Sequence, residues 1–239
     1  MPQVSGADAI ESCLACKLRG ENTFCHLPNV VLQSLDALKH TITYPKGAIL
    51  FTEGENPRGV FVLCKGRVKL SISSSRGKAL VPRIAQPGEV LGLSGTVLGQ
   101  PHEVTAETIG NSQVNFVKRG DFLAFLRAHP EVCFRVAEQL SEKYASACRY
   151  RSSLSLPRSL EEKLAKLLLL WASTMKDSPQ RESALGVEFT HEIIAEMIGT
   201  RRETVTRLLS RFKKREIVQP QGSVLVIRNE SELRRMAGA

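Results

Sequence analysis

The chain has 239 residues, of which 42% are hydrophobic and 24% charged, with a formal net charge of +9. This length allows two modest domains with apolar cores, and no run of eighteen apolar residues predicts a membrane span. The N-terminal segment lacks the basic and apolar regions of a signal peptide, so we expect a soluble cytoplasmic protein without a membrane partner.

The N-terminal segment, residues 1–28, is distinguished by its cysteines. Cys13, Cys16 and Cys25 follow a C-x2-C-x8-C spacing, and three further cysteines lie downstream at Cys64, Cys133 and Cys148. In a cytosolic chain such residues are expected to be thiols or metal ligands rather than structural disulfides.

Residues 29–128 are predicted to form an antiparallel β-roll. Between residues 43 and 117, short β-rich runs such as GVFVLCKGRVKLSIS alternate with glycines. Glycines at the ends of β-rich runs are typical of the turns in an all-β unit.

Residues 129–156 are predicted to form one long helix. Alternating steps of four and three residues give a seam at heptad spacing: Cys133, Ala137, Leu140, Tyr144, Ala147, Arg151 and Leu154. One interpretation is a helix that packs on its own β-domain. The other is a dimerisation helix, with Leu140, Tyr144, Ala147 and Leu154 at the interface, because charged residues flank the seam and Arg151 lies within it.

Residues 157–239 are predicted to form a helix-turn-helix with a wing. Thr190 is expected to cap a short apolar helix, and Gly199 supplies the turn after it. Thr200 then caps a second helix, with Glu203 completing a T-x-x-E capping box. Two β-branched runs around PQGS predict the hairpin of a winged variant.

The second helix is predicted to be a DNA-reading element. Seven basic residues and one glutamate lie between residues 200 and 215, and an apolar stripe of Val205, Leu208, Leu209 and Phe212 occupies the opposite face. Such a basic face indicates a nucleic-acid partner. The candidate DNA-binding residues are Arg201, Arg202, Glu203, Thr206, Arg207 and Arg211.

Glu203 has two roles open to it in this helix. Its carboxylate is able to accept from a cytosine amine beside arginines that bind guanine, or it only closes the capping box. The basic residues from Arg211 onward are expected to contact phosphate or solvent. No P-loop, G-x-S-x-G, H-E-x-x-H or G-x-G-x-x-G motif is present, so we expect no enzymatic activity.

The segment RRETVTRLLSRFKKREIV resembles the recognition helix of the CRP/FNR family of bacterial transcription regulators. Arg202, Glu203 and Arg207 match the three base-reading positions of that family's motif. The resemblance extends over nearly the whole chain and implies an α+β fold: a cyclic-nucleotide-binding-like β-roll, a long dimerisation helix and a winged helix-turn-helix. It further implies a homodimer on double-stranded DNA with TGTGA-like half-sites, and contact with RNA polymerase.

The β-roll departs from the cyclic-AMP-binding members of that family. Their cassette resembles G-E-x-x-G-E-L followed by an arginine-serine pair that binds the cyclic phosphate. Here Leu93 stands in place of the ribose-binding glutamate, and residues 100–103 contain no such pair. An anion buried without the arginine would be costly, so cyclic AMP is not expected to bind.

The N-terminal cysteines resemble the ligands of the oxygen-sensing branch, which hold an iron-sulfur cluster. That resemblance makes Cys13, Cys16 and Cys25 candidate cluster ligands, although Asn115 stands where the branch has its fourth cysteine. Cys64, Cys148 and His26 are alternative fourth ligands. Three other interpretations of the cysteines stay open: a structural zinc, a thiol switch, or no site at all. The effector also stays open, since the β-roll could bind an organic acid, haem or nitric oxide, or the regulator could have no effector.

Overall fold

The computed structural model describes residues 12–17, 19–20, 23–73, 79–155, 159–176, 190–221 and 224–238. The chain divides into two compact units, Met1–Ala145 and Ser146–Ala239, here called the β-roll unit and the winged-helix unit. The division falls inside a long helix and not at residue 157, where the sequence predicts the second domain to start.

The β-roll unit consists of two antiparallel sheets and flanking helices. Its elements are α1 (Asn29–Leu38), β1 (His40–Tyr44), β2 (Ile49–Phe51), β3 (Gly59–Lys65), β4 (Val68–Ser73), β5 (Ala79–Ala85), β6 (Val90–Leu91), α2 (Leu93–Leu98), β7 (Thr105–Thr108), β8 (Ser112–Lys118) and α3 (Arg119–Ala128). The strand orders are β1-β8-β3-β6 and β2-β7-β4-β5. The predicted β-roll is confirmed, whereas α1, α2 and α3 were not anticipated.

Strand β3 is apolar on both faces because both faces are covered. Phe61 and Leu63 belong to the core between the two sheets. Val60 and Val62 face a second core, in which the N-terminal segment, α1 and α3 cover the outer face of the sheet. A strand that is buried on both faces reads as a continuous apolar run, as GVFVLC does here.

Helix α4 (Pro130–Ser155) follows α3 and confirms the predicted long helix. Its first turns pack on the β-roll, since Val132 and Val136 are buried in the second core. Polar contacts reinforce this packing: Gln139 Oε1 accepts a 2.9 Å hydrogen bond from Val90 N, and Lys143 Nζ donates to Val90 O at 2.5 Å.

The winged-helix unit continues with α5 (Leu160–Lys176), α6 (His191–Ile198), α7 (Arg202–Lys214), β9 (Val218–Gln221), β10 (Val224–Ile227) and α8 (Glu230–Met236). Helices α6 and α7 pack together, and α5 packs on α6 and α8. Strands β9 and β10 pair antiparallel, which confirms the predicted hairpin after the second helix. The core is apolar on every helix, with Leu164, Ile198, Val205, Phe212 and Leu233 buried.

Candidate nucleic-acid interface and thiol site

Helix α7 presents one apolar and one polar face, as predicted. Val205, Leu208, Leu209 and Phe212 are buried in the core of the winged-helix unit. The side chains predicted to read DNA point the other way and are exposed: Arg201, Arg202, Glu203, Thr206, Arg207 and Arg211. Gly199, with φ of +69°, closes α6 in the left-handed conformation and so allows the tight turn between the helices.

The predicted capping box at the start of α7 is wrong. The N-cap is Arg201, one residue later than predicted, and no side-chain hydrogen bond caps this helix in the described structure. Thr200 instead completes the end of α6, because its N–H donates to Ala195 O at 2.9 Å. The Glu203 carboxylate is therefore exposed on the polar face and is not engaged in capping.

Two of the basic residues at the C-terminal end of α7 have intramolecular partners. Arg211 forms a 2.8 Å ion pair with Glu161 of α5, and Arg215 pairs with Glu232 of α8. Local sequence patterns do not predict these pairs, since the partners are at least seventeen residues away. Arg211 thus lies at the edge of the basic face, bound to an acidic neighbour.

The cysteines predicted as ligands lie together, and a fourth joins them. Cys13 is buried in the core that contains Val60 and Val62, and Cys25 packs against the same core. Cys64 follows Val60 and Val62 at the alternate-residue spacing that directs side chains to one face of a strand. The thiols of Cys13, Cys16, Cys25 and Cys64, here called the four-thiol group, are mutually close enough to interact electrostatically.

Asn115 of β8 connects two members of the four-thiol group. Its side-chain amide donates to Cys13 Sγ at 3.6 Å, and its backbone N–H donates to the Cys64 thiol. Thr41 Oγ1 donates to Asn115 Oδ1 at 2.9 Å and so fixes the orientation of the amide. The residue that stands in place of the expected fourth cysteine therefore holds Cys64 beside the others.

Three thiols of this group, those of Cys13, Cys25 and Cys64, have raised pKa values. Burial, with a hydrogen bond to the Asp36 carboxylate, raises the pKa of Cys13 to about 12, and burial raises the pKa of Cys64 to about 11. Burial also raises the pKa of Cys25, with repulsion from Cys13 adding to the effect. Because the thiolate is both the reactive and the metal-ligating form, a thiol switch and a bound metal each require these thiols to lose their protons.

The other candidate fourth ligands lie elsewhere. His26 is exposed and lines an open surface groove with Glu131 and Phe134. Cys148 is exposed on α4. Across the described ranges, no three His, Cys, Asp or Glu side chains are already placed at ligating distances around one point, so metal binding requires the four-thiol group to draw together.

The β-roll contains a cavity of about 120 Å³. It is lined in part by Gly92 and Leu93, in the segment that differs from the cyclic-AMP-binding cassette. His102 is buried, its ring stacks on Phe51 with centroids 4.0 Å apart, and burial lowers its pKa. Arg83, at the cavity wall, is ion-paired with Glu89. Small-molecule pockets usually measure about 300–1,000 Å³, so this cavity is small for a nucleotide and offers no unengaged arginine to its phosphate.

The predicted dimer seam on α4 is partly exposed. Tyr144 is 74% exposed, and Ala147 is exposed as well. Leu140 instead packs against the β-roll core, which does not support an interchain role for it. The side chain of Leu154 lies outside the described residues. Phe134, which the heptad pattern omitted, is 64% exposed on the same stretch of helix.

Two family models match this chain, one over each unit. Residues 41–129 match the cyclic nucleotide-binding domain, and residues 162–236 match the Crp-like helix-turn-helix domain. The chain belongs to the CRP/FNR family of DNA-binding transcription regulators. No helix of the described structure is long and apolar enough to cross a membrane.

Its relatives within the family are distant. The HTH-type transcriptional regulator Cmr of Mycobacterium tuberculosis is 25% identical, over 98% of this chain and 89% of Cmr. The cAMP-activated global transcriptional regulator CRP of Pasteurella multocida is 22% identical, over 79% of this chain and 90% of the relative. The solved structure of FixK2 from Bradyrhizobium japonicum has the same fold, with a TM-score of 0.73 and 22% identity over 84% of this chain and 98% of FixK2.

The ion pair between Glu161 and Arg211 is expected to lower the affinity for DNA. We expect Glu161→Gln to raise affinity for duplex DNA about two- to fivefold at low salt and to steepen the salt dependence, because Arg211 then gains access to phosphate. Filter binding across a salt series measures both. Glu162→Gln is the matched control, since Glu162 pairs with Lys166 on the same helix at 2.9 Å. Equal gains from both variants would show only a general effect of charge.

Lys143 gives a testable dependence of stability on pH. Burial, with the nearby charge of Arg83, lowers its pKa from 10.5 to about 8. Between those values the unfolded chain binds the extra proton, so this lysine makes the unfolding free energy rise with pH from about 8 to 10.5. Relative to Lys143→Met, the wild type should gain up to about 3 kcal/mol over this window.

Urea unfolding at intervals from pH 7 to 10 measures this difference. Lys118→Met, at an exposed lysine, is the control and should track the wild type at every pH. If the Lys143→Met and wild-type curves ran parallel throughout, the ammonium group would not be desolvated in the folded protein.

Proposed function

We propose that this regulator acts as a homodimer on a TGTGA-like palindrome and responds to redox state or oxygen through Cys13, Cys16 and Cys25. The observation that carries the DNA-reading part is the exposed face of α7, where Arg202, Glu203 and Arg207 lie within two turns. An arginine donates a bidentate pair to guanine, and a carboxylate accepts from the cytosine amine. The retained Arg202 favours TGTGA over a TTGAT-like half-site.

The exposed stripe of α4 supports the homodimer. Phe134 and Tyr144 are two large side chains left exposed on this one helix, at 64% and 74% exposure. Burying such side chains against a second copy removes apolar area from water. Two α7 helices in a symmetric dimer would then meet half-sites one helical turn apart. Contact with RNA polymerase follows from the family resemblance and belongs to this proposal.

The four-thiol group supports an iron-sulfur cluster as the sensor, with Cys64 as the fourth ligand. Its sulfur atoms are the donors that such clusters take, and they come from one N-terminal segment and one rigid strand. A bound cluster would supply an electron-accepting, oxygen-reactive centre. The Lys39 ammonium, close enough to lower the pKa of both Cys13 and Cys64, would offset part of the negative charge of the thiolates.

A shared core links the thiols to α4. Cys13 lies in the same apolar cluster as Val132 and Val136, the first buried residues of the helix. Close-packed cores transmit displacements because they tolerate few voids. A change in the positions of the thiols would therefore change how the first turns of α4 pack on the β-roll. We expect DNA affinity to be higher with the cluster bound, a direction that follows from the family resemblance.

The test uses protein purified without oxygen. Visible absorbance, iron and sulfide are measured before and after air exposure, together with binding to a TGTGA-type palindrome and to a random duplex. The proposal expects a brown protein that bleaches in air as its affinity for the palindrome falls. A colourless protein with unchanged affinity would contradict the proposed redox sensing. A binding selection on random duplexes that returned no palindrome with TGTGA-like arms would contradict the proposed half-site.

A second candidate effector is a small organic acid in the β-roll cavity. The cavity has a volume suited to only a few heavy atoms and is lined by Arg83, His102 and Lys143. Such a ligand would leave the protein colourless but would change DNA affinity when added. Haem would instead give a sharp Soret band, and cyclic AMP is not expected to bind.

A further inference from the structure

The hydroxyl group of Thr206, on the exposed face of α7, makes two hydrogen bonds within the protein. It lies 3.0 Å from the backbone oxygen of Arg202 and 2.8 Å from Nδ1 of His191, the first residue of α6. A hydroxyl has a single proton, and the carbonyl oxygen of Arg202 only accepts. With the hydroxyl proton in the hydrogen bond to Arg202 O, the Thr206 oxygen accepts from His191 in the form of the ring that carries a proton on Nδ1.

These two hydrogen bonds fix the orientation of the Thr206 side chain. The oxygen is held towards the preceding turn of α7 and towards α6. The β-carbon has one other heavy substituent, the γ-methyl group, and the residue as a whole is exposed. Because β-branched side chains occupy discrete χ1 rotamers, locking the oxygen also locks the methyl group. The γ-methyl group is therefore held in one orientation on the exposed face of α7.

We propose that His191 is a positioning residue for sequence reading, which holds Thr206 so that its methyl group meets the C5-methyl of a thymine. This inference rests on the proposed role of α7 in the major groove. A threonine with an unengaged hydroxyl bonds to several base edges and discriminates poorly, whereas an apolar contact in the major groove selects thymine. By holding Thr206, His191 makes this position of α7 select thymine instead of accepting several bases.

The same contact explains why His191 lies at the start of α6. Thr190 caps that helix through its own hydroxyl, which accepts from Ile193 N at 3.3 Å, so capping does not require His191. Its ring is half-exposed and extends across to the neighbouring helix, fifteen residues along the chain. The hydrogen bond of its ring is made to Thr206, a residue of the exposed face of α7.

The test replaces each thymine of the palindrome in turn by deoxyuridine, which lacks only the C5-methyl. For the wild type we expect one thymine per half-site at which this change weakens binding roughly fourfold, the loss for about one buried methyl group. Thr206→Ser, which keeps the hydroxyl but lacks the methyl, should lose this sensitivity. Thr206→Val, which keeps a methyl without needing the hydrogen bonds, should retain it.

His191 is tested by two substitutions in the same assay. His191→Ala should bring the thymine-to-uracil ratio close to one, because only the hydrogen bond to Arg202 O then holds the Thr206 side chain against rotation towards the base. His191→Asn, whose amide N–H replaces Nδ1–H, should restore the ratio. A merely structural role would lower the melting temperature or weaken all duplexes equally without changing this ratio.

The outcomes separate this inference from the function on which it rests. Specific binding to the palindrome without any uracil sensitivity, or with a sensitivity that His191→Ala leaves intact, would overturn the role of His191. Binding with no preference for the palindrome over a random duplex would instead contradict the proposed function, and this inference with it.

Discussion

Arg207→Ala is expected to abolish most of the preference for a TGTGA-type palindrome. Arg207 is exposed on α7 one turn beyond Glu203, and its helix is fixed by the buried Leu208 next to it. A bidentate arginine-guanine contact contributes about 1–3 kcal/mol, so each half-site loses roughly five- to 150-fold in discrimination. Competition binding against a random duplex measures the loss, because non-specific affinity should fall far less.

Lys213→Ala is the matched control for this prediction. Lys213 is exposed near the C-terminal end of the same helix, where we expect phosphate contact or solvent. Its removal should weaken all duplexes about equally and lower the salt dependence by about one unit. If Arg207→Ala behaved like Lys213→Ala, Arg207 would contact phosphate, and the predicted contact between Arg207 and a base would be wrong.

Cys64→Ser is expected to remove bound iron from protein purified without oxygen. Only the three thiols of the N-terminal segment would then remain. Iron-sulfur clusters that are held by cysteines alone have four cysteine ligands. We expect iron, sulfide and visible absorbance to fall to background, with the same effect on affinity for the palindrome as air exposure. Iron content per protomer is the direct measurement.

Cys133→Ser is the control for Cys64→Ser, since Cys133 is exposed on α4 and its thiol donates to Leu126 O at 3.2 Å. It should retain iron. Thermal melting of both variants separates loss of ligand from loss of fold, because serine at a buried site leaves a polar group to satisfy. Full iron in Cys64→Ser together with loss in Cys13→Ser would place the fourth ligand elsewhere.

Local patterns predicted much of the fold and of α7. Glycine spacing indicated the strands, the heptad pattern indicated α4, and the 3.6-residue period placed Val205 and Phe212 in the core. These features depend on neighbours in sequence, and the packed structure agrees with them. The capping box failed because α7 begins one residue later than the pattern indicates, which leaves Arg201 and not Thr200 at the N-cap.

The features that escaped prediction are contacts between distant segments. Cys64 joins Cys13 only because β3 pairs with β8, where Asn115 bonds to both. Arg211 meets Glu161 because α7 and α5 share one unit, and Leu140 packs inward because β6 lies beneath α4. Short-range periodicity carries no information on which strands or helices become neighbours, so the sequence left the fourth thiol open.

The boundary between the two compact units falls between Ala145 and Ser146, in the interior of α4. A chimaera that joins the β-roll unit to a foreign DNA-binding domain would therefore interrupt a continuous helix if the joint followed that boundary. Such a cut exposes backbone carbonyl and amide groups that the intact helix satisfies. A joint after Ser155, where the helix ends, keeps its hydrogen-bond ladder whole and is the better place to graft.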